Sequence, residues 1–296
     1  MERIDGSAIA KNVREQIAAA VAQTREMHGI TPGLSLVIVG DDEESARFVR
    51  RKAKLAEKAG MRAQVLTVSG DVGTEDLLAL VARLNADDAV DGVLVQLPLP
   101  AGLDEAAVTQ AIEPAKDVDG LHPLNLGLLA AGAAQAVVPP TPWGVGVLLT
   151  RTLGPDGLSG KRAVVLGRST LVGRPTAYWL LREDCTVTVA HSKSADVAAL
   201  CREAEILVSA VGKPGFVRGD WIRHGATVID VGLTGEEQPD GKWKMLGDVA
   251  FDESSQRAAH LTPVPGGVGP MTVAGVLANS LFAACRRRGL AVPRIT

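Results

Sequence analysis

The residues best suited to chemistry in the first half of the chain are a lysine, an amide and a pair of carboxylates. Ser45, Phe48, Lys52, Leu55 and Ala59 share one helical face at i, i+3 and i+4 spacing, so Lys52 interrupts a stripe that is otherwise apolar or small. A lysine taken partly out of water loses pKa and can then move protons near neutrality. Arg47, Arg50, Arg51, Lys54 and Lys58 crowd the same helix, and a lysine snorkelling along the surface gives the same spacing. Gln96 closes the apolar run that begins at Val90, just ahead of Pro98 and Pro100, where an amide can address a ligand or simply satisfy its own loop. In Lys116-Asp117-Val118-Asp119-Gly120 the alternation points Asp117 and Asp119 the same way. Two carboxylates without further oxygen ligands make a poor calcium or magnesium site, so no metal is expected.

A second group of residues has the chemistry of phosphate binding. Ala163–Leu166 reads as a short buried strand, Gly167-Arg168-Ser169-Thr170-Leu171-Val172-Gly173 as a polar turn, and Thr176–Leu181 as a helix. Such a turn offers backbone N–H groups and the positive end of a helix dipole. The dinucleotide fingerprint G-x-G-x-x-G is imperfect here, with Ser169 at the middle glycine and the last glycine one place late. Glycine turns also join strands to helices in many α/β proteins. The next strand, Cys185–Ala190, ends in His191-Ser192-Lys193-Ser194, with no carboxylate for a ribose 2′-hydroxyl. Those donors, with Arg168, suit a 2′-phosphate and favour NADP over NAD, although Ser and Lys are ordinary loop residues too. Thr262–Thr272 holds three glycines and three prolines, more than an ordinary turn needs, in a form that lets backbone press on a flat ligand.

The elements that must position these residues alternate in type. Helices are expected over Ser7–His28, stopped by Gly29, and over Ser45–Ala59, closed at Gly60; others cover about Thr74–Leu84, Trp143–Thr150 and the stretch up to about Arg287. Strands are expected at Leu34–Val39, Ala63–Val68, Val90–Val95, Ile206–Val211 and Ala226–Val231, with a polar excursion over Gly235–Lys244. Alternating strands and helices give a parallel, doubly wound sheet. Pro139, Pro140 and Pro142 resist helix and central strand alike and mark the expected domain boundary. The fold class is therefore α/β with two domains, a parallel α/β N-terminal catalytic domain over residues 1–141 and a Rossmann-like NADP-binding domain over residues 142–269, with a cleft between them.

The 296 residues suffice for two cores, and with 3% aromatic content Ala, Val and Leu must build them. A net charge of -3 without a basic stripe argues against nucleic acid. Cys185, Cys201 and Cys285 lack metal-ligand or redox spacing and read as reduced core thiols. Met1-Glu2-Arg3-Ile4-Asp5-Gly6 is charged and no apolar run follows, so neither a signal peptide nor a membrane span is expected, and the expected location is the cytoplasm.

Together the helix carrying Phe48 to Lys52, Asp91–Pro98, Lys116–Gly120, Gly167–Ser169 and Pro263–Thr272 resemble the bifunctional methylenetetrahydrofolate dehydrogenase/cyclohydrolase family over nearly the whole chain. The resemblance implies NADP-linked oxidation of 5,10-methylenetetrahydrofolate to the 5,10-methenyl form and hydrolysis to 10-formyltetrahydrofolate. It also implies a homodimer and a last helix, residues 270–296, that returns to the N-terminal domain. Carried over residue by residue, it makes Lys52 the proton-transfer lysine, Gln96 its hydrogen-bonding partner and Asp119 the carboxylate that holds the pterin. Phe48, Val95, Leu97, Pro265, Gly266 and Gly267 join them around the tetrahydrofolate derivative, while Gly167, Arg168, Ser169, Ser192, Leu233 and Thr272 fall to NADP. Two departures stand out. Many relatives carry cysteine where Pro140 stands, and the family usually carries tyrosine where Phe48 stands; Phe48 keeps a stacking face and loses a hydroxyl. A dehydrogenase with weak or absent cyclohydrolase is thus an alternative, and a non-catalytic folate or nucleotide sensor is another, against which Lys52, Gln96 and Asp119 together argue.

Overall fold

A computed structural model describes residues 1–237 and 241–295 of the chain. In chain order the first half contains β1 (Glu2–Arg3), α1 (Gly6–His28), β2 (Gly33–Val39), α2 (Glu43–Lys58), β3 (Arg62–Val68), α3 (Thr74–Ala86), β4 (Gly92–Val95), α4 (Glu105–Ala111), α5 (Pro123–Ala130) and α6 (Pro140–Leu153). The second half contains β5 (Arg162–Leu166), α7 (Gly173–Arg182), β6 (Thr186–Ala190), α8 (Val197–Glu203), β7 (Ile206–Ser209), a 3-10 turn (Gly219–Trp221), β8 (Thr227–Asp230), β9 (Thr234–Glu237), β10 (Trp243–Leu246), α9 (Phe251–Ser255), β11 (His260–Leu261) and α10 (Gly269–Arg286).

Two parallel sheets carry the molecule, as the alternating pattern requires. The first has the order β3-β2-β4 and the second β1-β11-β8-β7-β5-β6. In the polar excursion β9 and β10 pair antiparallel, and residues 238–240 lie outside the described ones. β1 pairs with β11, so the first residues of the chain extend the second sheet although the rest of the N-terminal half builds the first. The last helix crosses in the other direction and lies against α1, α2, α6, β2 and β4. Thr296, the end of the predicted returning segment, is outside the described residues.

Three apolar clusters explain this arrangement. One covers the outer face of the first sheet under α3 and α4, and a second covers one face of the second sheet under α8 and α9. The third is continuous through both halves, running from Val13, Leu36 and Val49 through Leu148 and Leu277 to Val165, Val208 and Ile229. α1, α6, α7 and α10 therefore form a shared middle layer between the sheets.

Two expectations require correction. Pro139, Pro140 and Pro142 do not interrupt the helical path: all three are buried, and α6 begins at Pro140 rather than at Trp143. The first turn of a helix has no use for those N–H groups, so proline is tolerated there. On α2 the buried stripe is Val49, Ala53 and Ala56, one position round from the predicted Phe48–Lys52 face. Small residues let the helix lie close to its sheet, which leaves Phe48 and Lys52 at the edge of the contact.

Candidate active site

Lys52 is held by a helix whose start is well determined. Asp42 accepts the Ser45 N–H at 2.7 Å, and Glu43 and Glu44 occupy the first turn, so the acidic run is a helix cap facing the positive end of the dipole. Lys52 is half-buried, and its Nζ donates to Gln96 Oε1 at 3.0 Å. Gln96 in turn donates from Nε2 to Leu97 O at 2.7 Å, and its own backbone N–H is bonded to Val37 O, so the amide is fixed at the carboxyl end of the first sheet. Burial pulls the Lys52 ammonium below the ordinary lysine value, and the nearby charge of Asp119 opposes that shift.

Asp119 and Asp117 do not act as a pair. Asp117 accepts from the N–H groups of Gly120 at 2.9 Å and His122 at 2.8 Å and from Asn125 Nδ2 at 2.9 Å, so it builds the turn. This frees Asp119 to face Lys52. Burial lifts its carboxyl to about 6; the Lys52 ammonium opposes the rise and Asp117 adds to it. The turn is anchored from the far end of the chain, because Asn279 of α10 donates to Val118 O at 2.8 Å and Val138 O at 2.9 Å. Among the described residues no group of three or more His, Cys, Asp or Glu side chains is placed to hold a metal ion.

Phe48 lies one turn before Lys52 with 37% of its surface exposed, a ring available for stacking. Val95 differs: its side chain is buried in the cluster beneath the first sheet, and Leu97 is partly packed against the same cluster. Val95 can therefore offer a ligand in the cleft only its backbone. Pro265 to Gly267 come forward on the loop before α10, where Gly266 has φ 103° and its carbonyl accepts the Ser7 N–H at 3.0 Å. A side chain at Gly267 would run into Pro263 O and Thr262 Cβ, so the loop can take only this compact form with glycine there.

The second group sits at the carboxyl end of the second sheet, where open α/β sheets collect ligands. Gly167 has φ 109° and lies against the Ala210 carbonyl, and Gly173 packs directly on the Gly167 carbonyl, doing the close-approach work of the last fingerprint glycine despite its shifted place. Ser169 explains the missing middle glycine. Its Oγ accepts from the N–H groups of Val172 at 3.1 Å and Gly173 at 3.3 Å, capping α7. The N–H groups of Thr170 and Leu171 take no partner among the described residues and remain available to an anion. Arg168 and Ser192 are exposed and leave the ends of β5 and β6, which are paired neighbours. Leu233, 49% exposed, follows β8, and Thr272 opens α10 with its Oγ1 3.0 Å from Thr141 Oγ1. These features fit NADP: free N–H groups at a helix start for the diphosphate, and Arg168 with the hydroxyl of Ser192 for a 2′-phosphate.

Sequence reasoning missed Asn279, hidden inside an apolar helix, and two buried carboxylates, Asp230 and Asp248. Burial raises Asp230 to about 7, with three backbone N–H groups and the neighbouring Asp248 acting in opposite senses. A carboxylate ending the apolar run Thr227–Asp230 was the available signal. The three cysteines are buried and their thiols are pushed up, Cys185 to about 11 and Cys201 to about 12, as expected of core residues. No helix among the described residues is long and apolar enough to cross a membrane.

Residues 4–119 match the family model for the tetrahydrofolate dehydrogenase/cyclohydrolase catalytic domain, and residues 139–288 match that for the NAD(P)-binding domain of the same family. The bifunctional protein FolD of Nitrobacter hamburgensis is 53% identical over 292 residues, covering 99% of this chain and 98% of the relative. That of Parvibaculum lavamentivorans is 50% identical over 294 residues, with 98% of each covered. Among solved structures, the bifunctional FolD methylenetetrahydrofolate dehydrogenase/cyclohydrolase of Campylobacter jejuni superposes with a TM-score of 0.91 at 39% identity, covering 97% of this chain and 99% of that one. The Trypanosoma brucei enzyme, complexed with NADP cofactor and inhibitor, gives 0.90 at 42% identity, with 98% of each covered. With both halves matched by its models and half of its residues identical to such relatives, the chain belongs to the tetrahydrofolate dehydrogenase/cyclohydrolase family.

Proposed function

We propose that the cleft between the two sheets performs both steps of the family's chemistry with the residues located above. The chain is an NADP-dependent methylenetetrahydrofolate dehydrogenase and a methenyltetrahydrofolate cyclohydrolase, and its substrates are tetrahydrofolate derivatives. The observation that carries the assignment of roles is the hydrogen bond from Lys52 Nζ to Gln96 Oε1 beside the raised carboxyl of Asp119.

Asp119 accepts the two-donor edge of the pterin, its ring N–H and amino group, and Phe48 lies against the ring face. Bound NADP supplies the acceptor for the hydride that leaves the methylene carbon. The substrate's own nitrogen stabilises the cation that forms, so Gly167, Arg168, Ser169, Ser192, Leu233 and Thr272 serve to position rather than to move protons. Hydrolysis is different: water adds across the methenyl C=N bond and loses a proton, and the carbon's bond to N5 then breaks as N5 takes up the hydroxyl proton, leaving the formyl group on N10. Lys52 Nζ, made a weaker acid-holder by burial, takes the proton that water loses, and Gln96 keeps the amine in place. Pro265, Gly266 and Gly267 cover the reacting ends.

In this reading residues 1–141, apart from β1 that joins the second sheet, form the folate lobe with the returning segment 270–296, and residues 142–269 form the NADP lobe. The chain works as a homodimer in the cytoplasm. The two separate sheets and the contacts of α10 with α1 and β4 support the two lobes, and the dimer and the location are what membership of the family leads us to expect.

The test follows NADPH and the methenyl chromophore together from NADP and methylenetetrahydrofolate, with a second trace started from methenyltetrahydrofolate. NADPH formation and methenyl decay above the spontaneous rate support both roles. Decay at the background rate alone removes Lys52 from its role, and no NADPH removes the whole assignment. Light scattering at twice 30.8 kDa is expected for the homodimer.

A further inference from the structure

Beneath the cofactor-facing turns lies a polar cluster that neither step uses directly. Asp230 ends β8 and Asp248 follows β10, with 3% and 0% of their surfaces exposed. Neither forms an ion pair among the described residues, and a buried carboxylate without a cation is costly unless its oxygens are well bonded. Here the oxygens are spent on loop backbone. Asp248 Oδ2 accepts from Val211 N–H at 2.7 Å and Ser209 Oγ at 3.1 Å, and Oδ1 accepts from Lys213 N–H at 2.9 Å. Asp230 Oδ1 accepts from the N–H groups of Gly232 at 2.9 Å and Asp248 at 3.0 Å, and Oδ2 accepts from Val249 N–H at 2.9 Å. The Asp230 N–H donates to Thr262 Oγ1 at 2.7 Å.

Three segments are fixed by these bonds. The stretch after β7 begins at Ala210, whose carbonyl lies against Gly167 of the cofactor turn. Gly232 leads straight into Leu233. Thr262 begins the loop that carries Pro265 to Gly267, and Val264 sits with Asp230 around Gly247. All three segments leave the carboxyl ends of neighbouring strands and border the NADP side of the cleft.

We propose that Asp230 and Asp248 are positioning residues for hydride transfer: the bonds that their carboxyl oxygens accept set the Val211–Lys213 and Gly232–Leu233 segments against the nicotinamide half of NADP. The inference rests on the reading of the cleft given above. Lys52 on α2 and Gln96 after β4 lie at the other sheet and donate to neither carboxyl, so the hydrolytic step should be independent of the pair.

Asp248→Asn keeps the volume but turns an NH2 group toward N–H donors, so at least one of the three contacts becomes donor against donor. Calorimetry should show NADP binding weakened about tenfold, and the dehydrogenase kcat/KM should fall by at least as much. Cyclohydrolase, assayed on supplied methenyltetrahydrofolate without NADP, should stay within about twofold of the parent. Ser209→Ala removes one contact and should move NADP affinity in the same direction by about threefold. Unchanged NADP affinity in both variants overturns the inference, and so does a fall of both activities by one common factor. Should Asp248→Asn fail to fold, Ser209→Ala decides alone. A parent protein that neither binds NADP nor forms NADPH sinks the functional reading instead, whereas an active parent with indifferent variants sinks only this one.

Discussion

In the role proposed for it, Lys52 has to be uncharged when it accepts a proton, and burial makes that state accessible below the ordinary lysine value of 10.5. The sign follows directly. As pH rises through the lowered pKa, Lys52 gives up its proton and the enzymic part of cyclohydrolase should rise, with its midpoint below that of a free lysine. Lys52→Met should remove this limb and lower cyclohydrolase about 100-fold or more, while NADPH formation from methylenetetrahydrofolate persists; stopped-flow decay of methenyltetrahydrofolate across pH, corrected for the spontaneous rate, is the measurement. Phe48 tests the neighbouring position. Phe48→Tyr returns a hydroxyl one helical turn from Lys52, and a new hydrogen bond to the lysine or to water is worth about 1 kcal/mol, or roughly fivefold. Cyclohydrolase should gain by about that factor and dehydrogenase should stay within about twofold. No gain would mean that the Gln96 contact alone orients the amine.

Lys116 shows how an element end can be held without entering the chemistry. It is 2% exposed, and its Nζ donates to Leu84 O at 3.1 Å, Asn85 O at 2.6 Å and Asp87 O at 2.7 Å, using all three protons at the end of α3. A cation at a helix C-terminus opposes the dipole and satisfies orphan carbonyls. Lys116→Met strands those carbonyls and should cost about 3 kcal/mol, read as a lower urea midpoint with both activities retained at room temperature. The same scale explains what was legible beforehand. Strands β2, β5 and β7 and helix α1, with its Gly29 stop, follow from apolar runs and 3.6-residue spacing, because burial of the strands on both faces leaves little alternative. Lys52 and Gln96, which meet at 3.0 Å, stand out in the sequence as a lysine on a mostly apolar face and an amide ending an apolar run, whereas Asp119 shows there only as one of two carboxylates in an acidic turn. Asp230 also ends an apolar run, and it was passed over because its partners are backbone N–H groups on Gly232, Asp248 and Val249, whose placement depends on tertiary packing rather than spacing. The prolines misled for a local reason: the rule against proline inside a helix does not apply to its first turn.

At the scale of the molecule, the two ends of the chain are exchanged between the sheets. β1 adds to the second sheet through Glu2 N–H to Ala259 O at 2.6 Å and Ile4 N–H to Leu261 O at 3.0 Å, and Ile4 itself is 4% exposed. α10 returns the other way and is tied to the first sheet by Arg287 and Arg288, both donating to Asp91 Oδ1 at 2.6 Å, while Asp91 Oδ2 accepts the Gly33 N–H. A cleft between two sheets can be placed accurately only if the sheets cannot drift apart, and crossed ends oppose drift from both sides. Removing residues 1–5 should therefore do more than shorten a terminus. It deletes an edge strand, the buried Ile4 and the Asp5 cap on Ala8 N–H, a loss of about 3 kcal/mol. It also frees the start of α1, whose Ser7 N–H holds Gly266 O in the covering loop. The truncated protein should melt several degrees lower and lose dehydrogenase activity by a larger factor than cyclohydrolase, because hydride transfer needs ligands on both sheets in register and the proton transfer proposed for Lys52 needs one. Equal losses in the two activities would mean that the crossing serves stability alone.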